Sequence, residues 1–166
     1  MNTETRIAQK IFKLSPLAEQ CNIWRSQRQK IVFTNGCFDI LHIGHIHNLQ
    51  TAADQGDKLI VAINSDASVR VLKGENRPIN TQENRAMILA SLAYVAAVVI
   101  FDAPTPLQCI EALTPDVLVK GGDYTKNNIV GAQWVEQHGG RVLIIPFIHQ
   151  ISTTQLINQM QNKEKE

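Results

Sequence analysis

The chain has 166 residues, 44% hydrophobic and 19% charged, which is enough apolar material for one domain with a buried core and too much for a disordered chain. Sixteen basic against fifteen acidic residues leave a net charge of +1, so no global field is available to hold a nucleic acid backbone or an anionic membrane. No apolar run approaches the ~20 residues of a membrane span, and the first residues lack the basic-then-apolar pattern of a signal peptide. The three cysteines, Cys21, Cys37 and Cys109, are odd in number and widely spaced, which argues against a disulfide framework or a zinc site. A reducing cytoplasm is the expected compartment.

In chain order, Ile7, Ile11 and Leu14 fall at helical spacing, and Ser15-Pro16 restarts a helix to about Arg28, so residues 1–29 read as an N-terminal helical segment. The first predicted strand is Ile31–Thr34. A helix from about Ile43 to Gln55 follows, with Gly56 as its C-terminal cap. Leu59–Ile63 is the second strand. Thr81 caps a helix that places Ile88, Leu89 and Leu92 on one face. Val95–Phe101 is the third strand, and Thr105-Pro106 opens the next helix as cap and first residue. Asp116–Val119 is the fourth strand, followed by a helix from about Asn128 to His138 that stops at Gly139-Gly140. Val142–Ile145 is the fifth, and a last helix follows Ser152; residues 162–166 read as a flexible tail.

These strands are apolar without alternation, as strands covered on both faces are. The expected fold is therefore α/β: one domain over 1–166 with a Rossmann-like open parallel sheet of about five strands and helices on both faces. In such sheets ligands bind beyond the carboxyl ends of the strands, where strand order reverses.

The loops at those ends carry the chemistry. After the first strand comes Asn35-Gly36-Cys37-Phe38-Asp39-Ile40-Leu41-His42-Ile43-Gly44-His45. His42 and His45 stand three apart at a helix start and can point the same way. Gly44 leaves room for a flat group, and the first helical turn offers free N–H groups and partial positive charge. Together they suit phosphate. A zinc pair on a helix more often uses i, i+4 spacing, and no third ligand is evident. After the second strand, Lys73 and Arg77 flank Gly74 as a small basic cluster. Arg85 reads as a residue of a polar helix side, either solvated or reaching an acceptor pocket. After the fourth strand, Lys120-Gly121-Gly122-Asp123 places an ammonium where packing does not explain it, with glycines for tight curvature and Asp123 as a turn former or a partner to the lysine or a sugar hydroxyl. Ser152-Thr153-Thr154 opens the last helix with three hydroxyls, more than capping alone requires.

The stretch Thr34–His45 resembles the signature of the cytidylyltransferase-like nucleotidyltransferases, which join a nucleoside monophosphate to a phosphorylated acceptor and release pyrophosphate. The ordered combination with Lys120-Gly121-Gly122-Asp123-Tyr124 and Ser152-Thr153-Thr154 is a specific match. Ile31–Ile157 as a whole is similar to the adenylyltransferase domain that makes ADP-heptose from ATP and D-glycero-β-D-manno-heptose 1-phosphate for lipopolysaccharide. That domain is often fused behind a sugar kinase. None is recognisable in these 166 residues, so the transferase step alone is expected. Two departures are visible. An aspartate frequent in the family near Ala96–Ala97 is absent, and Phe147–Gln150 lacks the arginine that glycerol-phosphate cytidylyltransferases often carry.

The resemblance implies catalytic roles for His42, His45 and Lys120, with His45 the stronger candidate for transition-state contact. It implies nucleotide contacts from Asn35, Gly36, Cys37, Phe38, His42, His45, Gly121, Asp123, Ser152, Thr153 and Thr154. Acceptor contacts are expected from Asp39, Asn64, Lys73, Arg77 and Arg85. Mg²⁺ is expected on ATP, held mainly by phosphate and water, and protein metal ligands are not assigned. A homo-oligomer acting on small molecules, without nucleic acid or membrane partners, is implied; Trp24 or Trp134 could lie in its interface or in the core. The competing readings are a cytidylyltransferase acting on glycerol 3-phosphate or a similar polyol phosphate, and a catalytically silent nucleotide-binding module.

Overall fold

The computed structural model describes residues 2–122, 124–146 and 151–163. Six strands form one sheet: β1 (Ile11–Phe12), β2 (Ile31–Gly36), β3 (Lys58–Asn64), β4 (Val95–Phe101), β5 (Val117–Gly121) and β6 (Arg141–Ile145). All neighbours are parallel, in the order β1-β4-β3-β2-β5-β6. Among the described residues the α-helices are α1 (Thr3–Ala8), α2 (Leu14–Ser26), α3 (Ile43–Ala53), α4 (Asp66–Lys73), α5 (Gln82–Ala90), α6 (Leu107–Leu113), α7 (Ala132–Gln137) and α8 (Thr153–Lys163).

The α/β class and the parallel sheet agree with the sequence reading. Two alternating sets of strand residues explain the unbroken apolar runs, because successive side chains point to opposite faces. Ile31, Phe33, Ile60 and Leu118 pack with Leu17, Cys21 and Trp24 of α2, Ile110 of α6 and Val135 of α7. Val32, Val61, Val98 and Val119 pack on the other face with Leu49 of α3 and Leu89 of α5. Trp24 is therefore core, and Trp134 packs beside that core with its ring stacked on His138 at 3.7 Å.

Several boundaries differ from expectation. The sheet has six strands rather than about five, because Ile11–Phe12 adds an edge strand inside the segment expected to be helical. Gly56 does not cap α3 in the left-handed region; Asp54 ends the helix in a right-handed conformation. Gly56 is needed for close approach instead, since a Cβ there would lie 2.8 Å from Val32 Cγ2 and 3.0 Å from the Lys30 carbonyl oxygen. Pro106, not Thr105, caps α6. The expected helix from Asn128 splits into a 3₁₀ turn, Lys126–Asn128, and α7. Helix α8 continues through Lys163 into the expected tail, and 164–166 lie outside the described residues. Ala96 is the extra residue of a β4 irregularity, because Leu59 pairs with Val95 and Ile60 with Ala97.

From β2 the chain steps outward to β3 and β4, then returns across the sheet to β5 and β6. Order therefore reverses between β2 and β5, and the carboxyl ends of those two strands present Asn35-Gly36 and Lys120-Gly121. Among the described residues no helix is long and apolar enough to cross a membrane.

Candidate active site

A cavity of about 590 Å³ opens at this switch point. It is lined by Asn35, Gly36, Cys37, Phe38, Asp39, His42, His45, Asn64, Lys73, Arg77, Lys120, Gly121, Ser152, Thr153 and Thr154, so one space gathers nearly all of the expected site residues. Asp123 lies outside the described residues. Arg85 is the exception, discussed below.

The histidine wall is built by α3. His42 is the helix cap, with extended backbone and no side-chain cap bond, so first-turn N–H groups remain available. The imidazoles of His42 and His45 stack with centroids 3.8 Å apart and planes 28° from parallel. Their Nδ1 atoms are buried and have no hydrogen-bond partner among the described residues. Gly44 permits this stacking: a Cβ there would sit 3.1 Å from His42 Nδ1. Phe38, at a left-handed φ of 48°, lays its ring over Gly36, where a Cβ would come 3.0 Å from Phe38 Cε2, and faces His45 at 5.2 Å. Burial, then the neighbouring His42, push the His45 pKa down to about 4, with a backbone hydrogen bond at Ile40 opposing them. Burial lowers His42 as well. Both rings are therefore neutral near pH 7.

Lys120 comes up from β5 on the opposite side. Its ammonium is 3.3 Å from Asn35 Oδ1, 3.5 Å from the Asn35 carbonyl and 5.5 Å from the Tyr124 ring centroid. Burial lowers its pKa. No carboxylate pairs with it among the described residues. Helix α8 contributes its start. Ser152 Oγ accepts from the Gln155 N–H at 3.2 Å while Gln155 Oε1 accepts from the Ser152 N–H at 2.8 Å, a reciprocal capping box. Ser152 thus caps the helix, Thr153 donates its hydroxyl to the Ile40 carbonyl at 3.2 Å and ties α8 to the histidine loop, and Thr154 stays exposed.

The other end of the cavity holds Asn64, Lys73 and Arg77. Asn64 is buried; its amide donates to Ser68 Oγ at 3.0 Å, and its Oδ1 accepts from the Cys37 thiol at 3.8 Å. Burial raises the Cys37 pKa against the pull of Lys73, Arg85 and Arg77. Two acceptor candidates turn out to be structural. The Asp39 carboxylate is fully buried, accepting from Arg77 Nε at 2.6 Å and from the N–H groups of Ile79 and Asn80 at 2.9 and 2.8 Å. With three donors engaged and no exposure, it fixes Arg77 at the cavity wall. Arg85 does not line the cavity at all. Its buried guanidinium donates to the carbonyls of Asn80 at 3.0 Å and Cys37 at 2.6 Å and pairs with Asp66 at 2.8 Å. Arg85 therefore fastens the loops after β2 and β3 to the stretch before α5. The periodicity offered a signal, because Arg85, Leu89 and Leu92 share one helix face. Asn48, Tyr124, Pro104 and Val130 also line the cavity, and sequence reading did not single them out as site residues.

Comparison with known proteins fits this geometry. Residues 33–159 match the family described as Cytidylyltransferase-like. The chain belongs to that family. The bifunctional protein HldE of Koribacter versatilis is 54% identical over 150 residues, which is 90% of this chain and 31% of that protein. HldE of Geobacter sulfurreducens is 50% identical over 151 residues, again 31% of its length. The chain thus spans about a third of these relatives. The crystal structure of a lipopolysaccharide core biosynthesis protein from Thermoplasma volcanium is 25% identical, with a TM-score of 0.59 over 74% of this chain and 99% of that one. Pantoate-beta-alanine ligase from Francisella tularensis shares the fold at 16% identity, with a TM-score of 0.61 over 94% of this chain and 79% of that one.

Proposed function

We propose that the chain is a nucleotidyltransferase that joins the AMP moiety of ATP to D-glycero-β-D-manno-heptose 1-phosphate, giving ADP-heptose and pyrophosphate for lipopolysaccharide biosynthesis. The observation that carries the reading is the pair of stacked imidazoles, their Nδ1 atoms without partners among the described residues, on the wall opposite Lys120 at the strand switch point. The similarity to part of bifunctional HldE supports the choice of reaction.

A phosphate oxygen of the sugar attacks the α-phosphorus and forms the new P–O bond. The bond from the α-phosphorus to the bridging oxygen breaks, and its electron pair leaves with pyrophosphate. The nucleophile is already an anion, so no general base is needed, and catalysis is positioning plus charge stabilisation. His42 and His45 donate hydrogen bonds to the triphosphate, and His45 strengthens its bond as charge moves toward pyrophosphate. Lys120 bridges the incoming and transferred phosphates. Asn35, Gly36, Cys37, Phe38 and Gly121 shape the nucleotide side, with Asp123 assigned there too. The start of α8 receives the outer phosphates through the hydroxyls of Ser152, Thr153 and Thr154 and through helix N–H groups, with Thr153 also donating to the Ile40 carbonyl. Lys73 and Arg77 hold the acceptor phosphate beside Asn64, with Asp39 positioning Arg77. Among the described residues no group of three acidic, histidine or cysteine side chains could hold a metal, so Mg²⁺ would ride on the triphosphate oxygens, whose charge it neutralises. The reading includes a cytoplasmic, homo-oligomeric enzyme, and exposed Val71 and Ile79 offer apolar surface for contact between copies.

The test is pyrophosphate release across a panel of ATP, CTP, GTP and UTP crossed with sugar 1-phosphates and glycerol 3-phosphate. ATP with the heptose 1-phosphate should give the highest kcat/KM. A preference for CTP with glycerol 3-phosphate would replace the substrate assignment, and nucleotide binding without turnover would replace the enzyme reading.

A further inference from the structure

We infer that Asn48 contacts the nucleobase and sets base preference, a deepening that rests on the nucleotidyl-transfer reading. Helix α3 and its cap line the cavity with His42, Gly44, His45, Asn48 and Leu49, of which His42, His45 and Asn48 carry polar side chains. The two histidines carry donors suited to phosphate. Asn48 stands one turn deeper and carries a different group, a carboxamide with both a donor and an acceptor. That carboxamide has no hydrogen-bond partner among the described residues, although it lines the cavity.

Its position is not incidental, because Gly121 makes room for it. Gly121 has no positive φ, so its backbone suits any residue. A Cβ at Gly121 would collide with the Asn48 amide nitrogen and sit 2.9 Å from its Cγ. Glycine at the end of β5 thus lets the Asn48 side chain keep this position, and a larger residue would displace it. The cavity also carries aliphatic lining at Leu49, Ile129, Val130 and Ile151. The cavity's phosphate chemistry is already supplied by two imidazoles, Lys120 and the start of α8. One unpartnered carboxamide beside Gly121, in a cavity with aliphatic lining, fits an aromatic heterocycle, which is apolar on its faces and carries adjacent donor and acceptor atoms on its edge. A single carboxamide can pair with the amino group and ring nitrogen of adenine in two hydrogen bonds, the arrangement by which asparagine reads adenine elsewhere.

The experiment is calorimetric binding of ATP, ITP and inorganic tripolyphosphate to the wild-type chain, Asn48→Ala and Gly121→Ala. ITP replaces the 6-amino group by an oxygen, and tripolyphosphate has no base. Wild type should bind ITP about ten-fold more weakly than ATP or worse. Asn48→Ala should weaken ATP about ten-fold, remove most of the ATP-over-ITP preference and leave tripolyphosphate within two-fold. Gly121→Ala should reproduce this pattern by displacing the carboxamide. Equal weakening of ATP and tripolyphosphate in Asn48→Ala would make Asn48 a phosphate ligand and overturn the inference, as would unchanged ATP affinity. If Asn48→Ala fails to fold, equal affinity of wild type for ATP and ITP overturns it on its own. Binding with the predicted pattern but no pyrophosphate release would sink the transfer reading and leave Asn48 as a base contact.

Discussion

His45 couples the stability of the unliganded fold to pH in a way that can be calculated. Burial lowers its pKa from 6.5 to about 4, so between those values the unfolded chain binds a proton that the folded chain excludes. Stability then rises with pH across this window, is complete above about pH 6.5 and declines as pH falls toward 4. With 1.36 kcal/mol per pKa unit, moving from pH 8 to pH 5 should cost about 2 kcal/mol through this residue. Urea denaturation of the wild type and His45→Gln at both pH values isolates the effect, because glutamine does not titrate. The wild type should lose about 2 kcal/mol more than the variant over the interval. The same pH dependence in both proteins would refute the reasoning, since it would mean that the imidazole protonates freely in the folded state.

Asp39→Asn should destabilise the fold by about 2–3 kcal/mol in urea titrations, because a neutral amide cannot satisfy Arg77 and two backbone N–H groups together. It should also raise the KM for the sugar phosphate more than it lowers kcat; an unchanged KM would contradict the role of Asp39 in holding Arg77. Arg85→Met should cost about 3 kcal/mol or more by thermal or chemical denaturation, as it strands the Cys37 and Asn80 carbonyls and the Asp66 carboxylate. A fully stable Arg85→Met protein would return Arg85 to the status of a free ligand-binding cation. Cys37→Ser should keep kcat within a few-fold of wild type, and its complete inactivation would show a chemical role for the thiol.

The legible parts of the molecule were those encoded locally. Strands such as Leu59–Ile63 declare themselves by continuous apolar runs, and Thr81 by its place before a helical pattern; its hydroxyl indeed accepts from the Asn84 N–H. The cavity was legible because topology sends every strand end to one side, so loops far apart in sequence had to converge. What the sequence hid depends on distant contacts. The edge strand Ile11–Phe12 has two residues and exists only by pairing with Val98 and Val99. Asp39 and Arg85 carry charges that pattern reading assigns to ligand or solvent, whereas each is consumed by backbone groups of loops up to 48 residues away. Gly121 read as a site of tight backbone curvature, whereas its φ is not positive and the Asn48 side chain on another element packs closely against it. Ser152 shows a second role that pattern reading only half predicts: its Oγ accepts from the Gln155 N–H as a cap, which leaves its O–H free to donate.

In the proposed reaction, paired neutral imidazoles stabilise transfer of AMP to a sugar phosphate. Phosphorus NMR of wild type and His45→Ala with ATP and D-glycero-β-D-manno-heptose 1-phosphate tests it most directly. The wild type should yield the two coupled signals of a sugar nucleotide diphosphate together with pyrophosphate, and His45→Ala should form them with kcat lower by about 10²-fold or more. Failure of the wild type to form the diphosphate linkage, or formation by His45→Ala at a rate within a few-fold of wild type, would contradict the account.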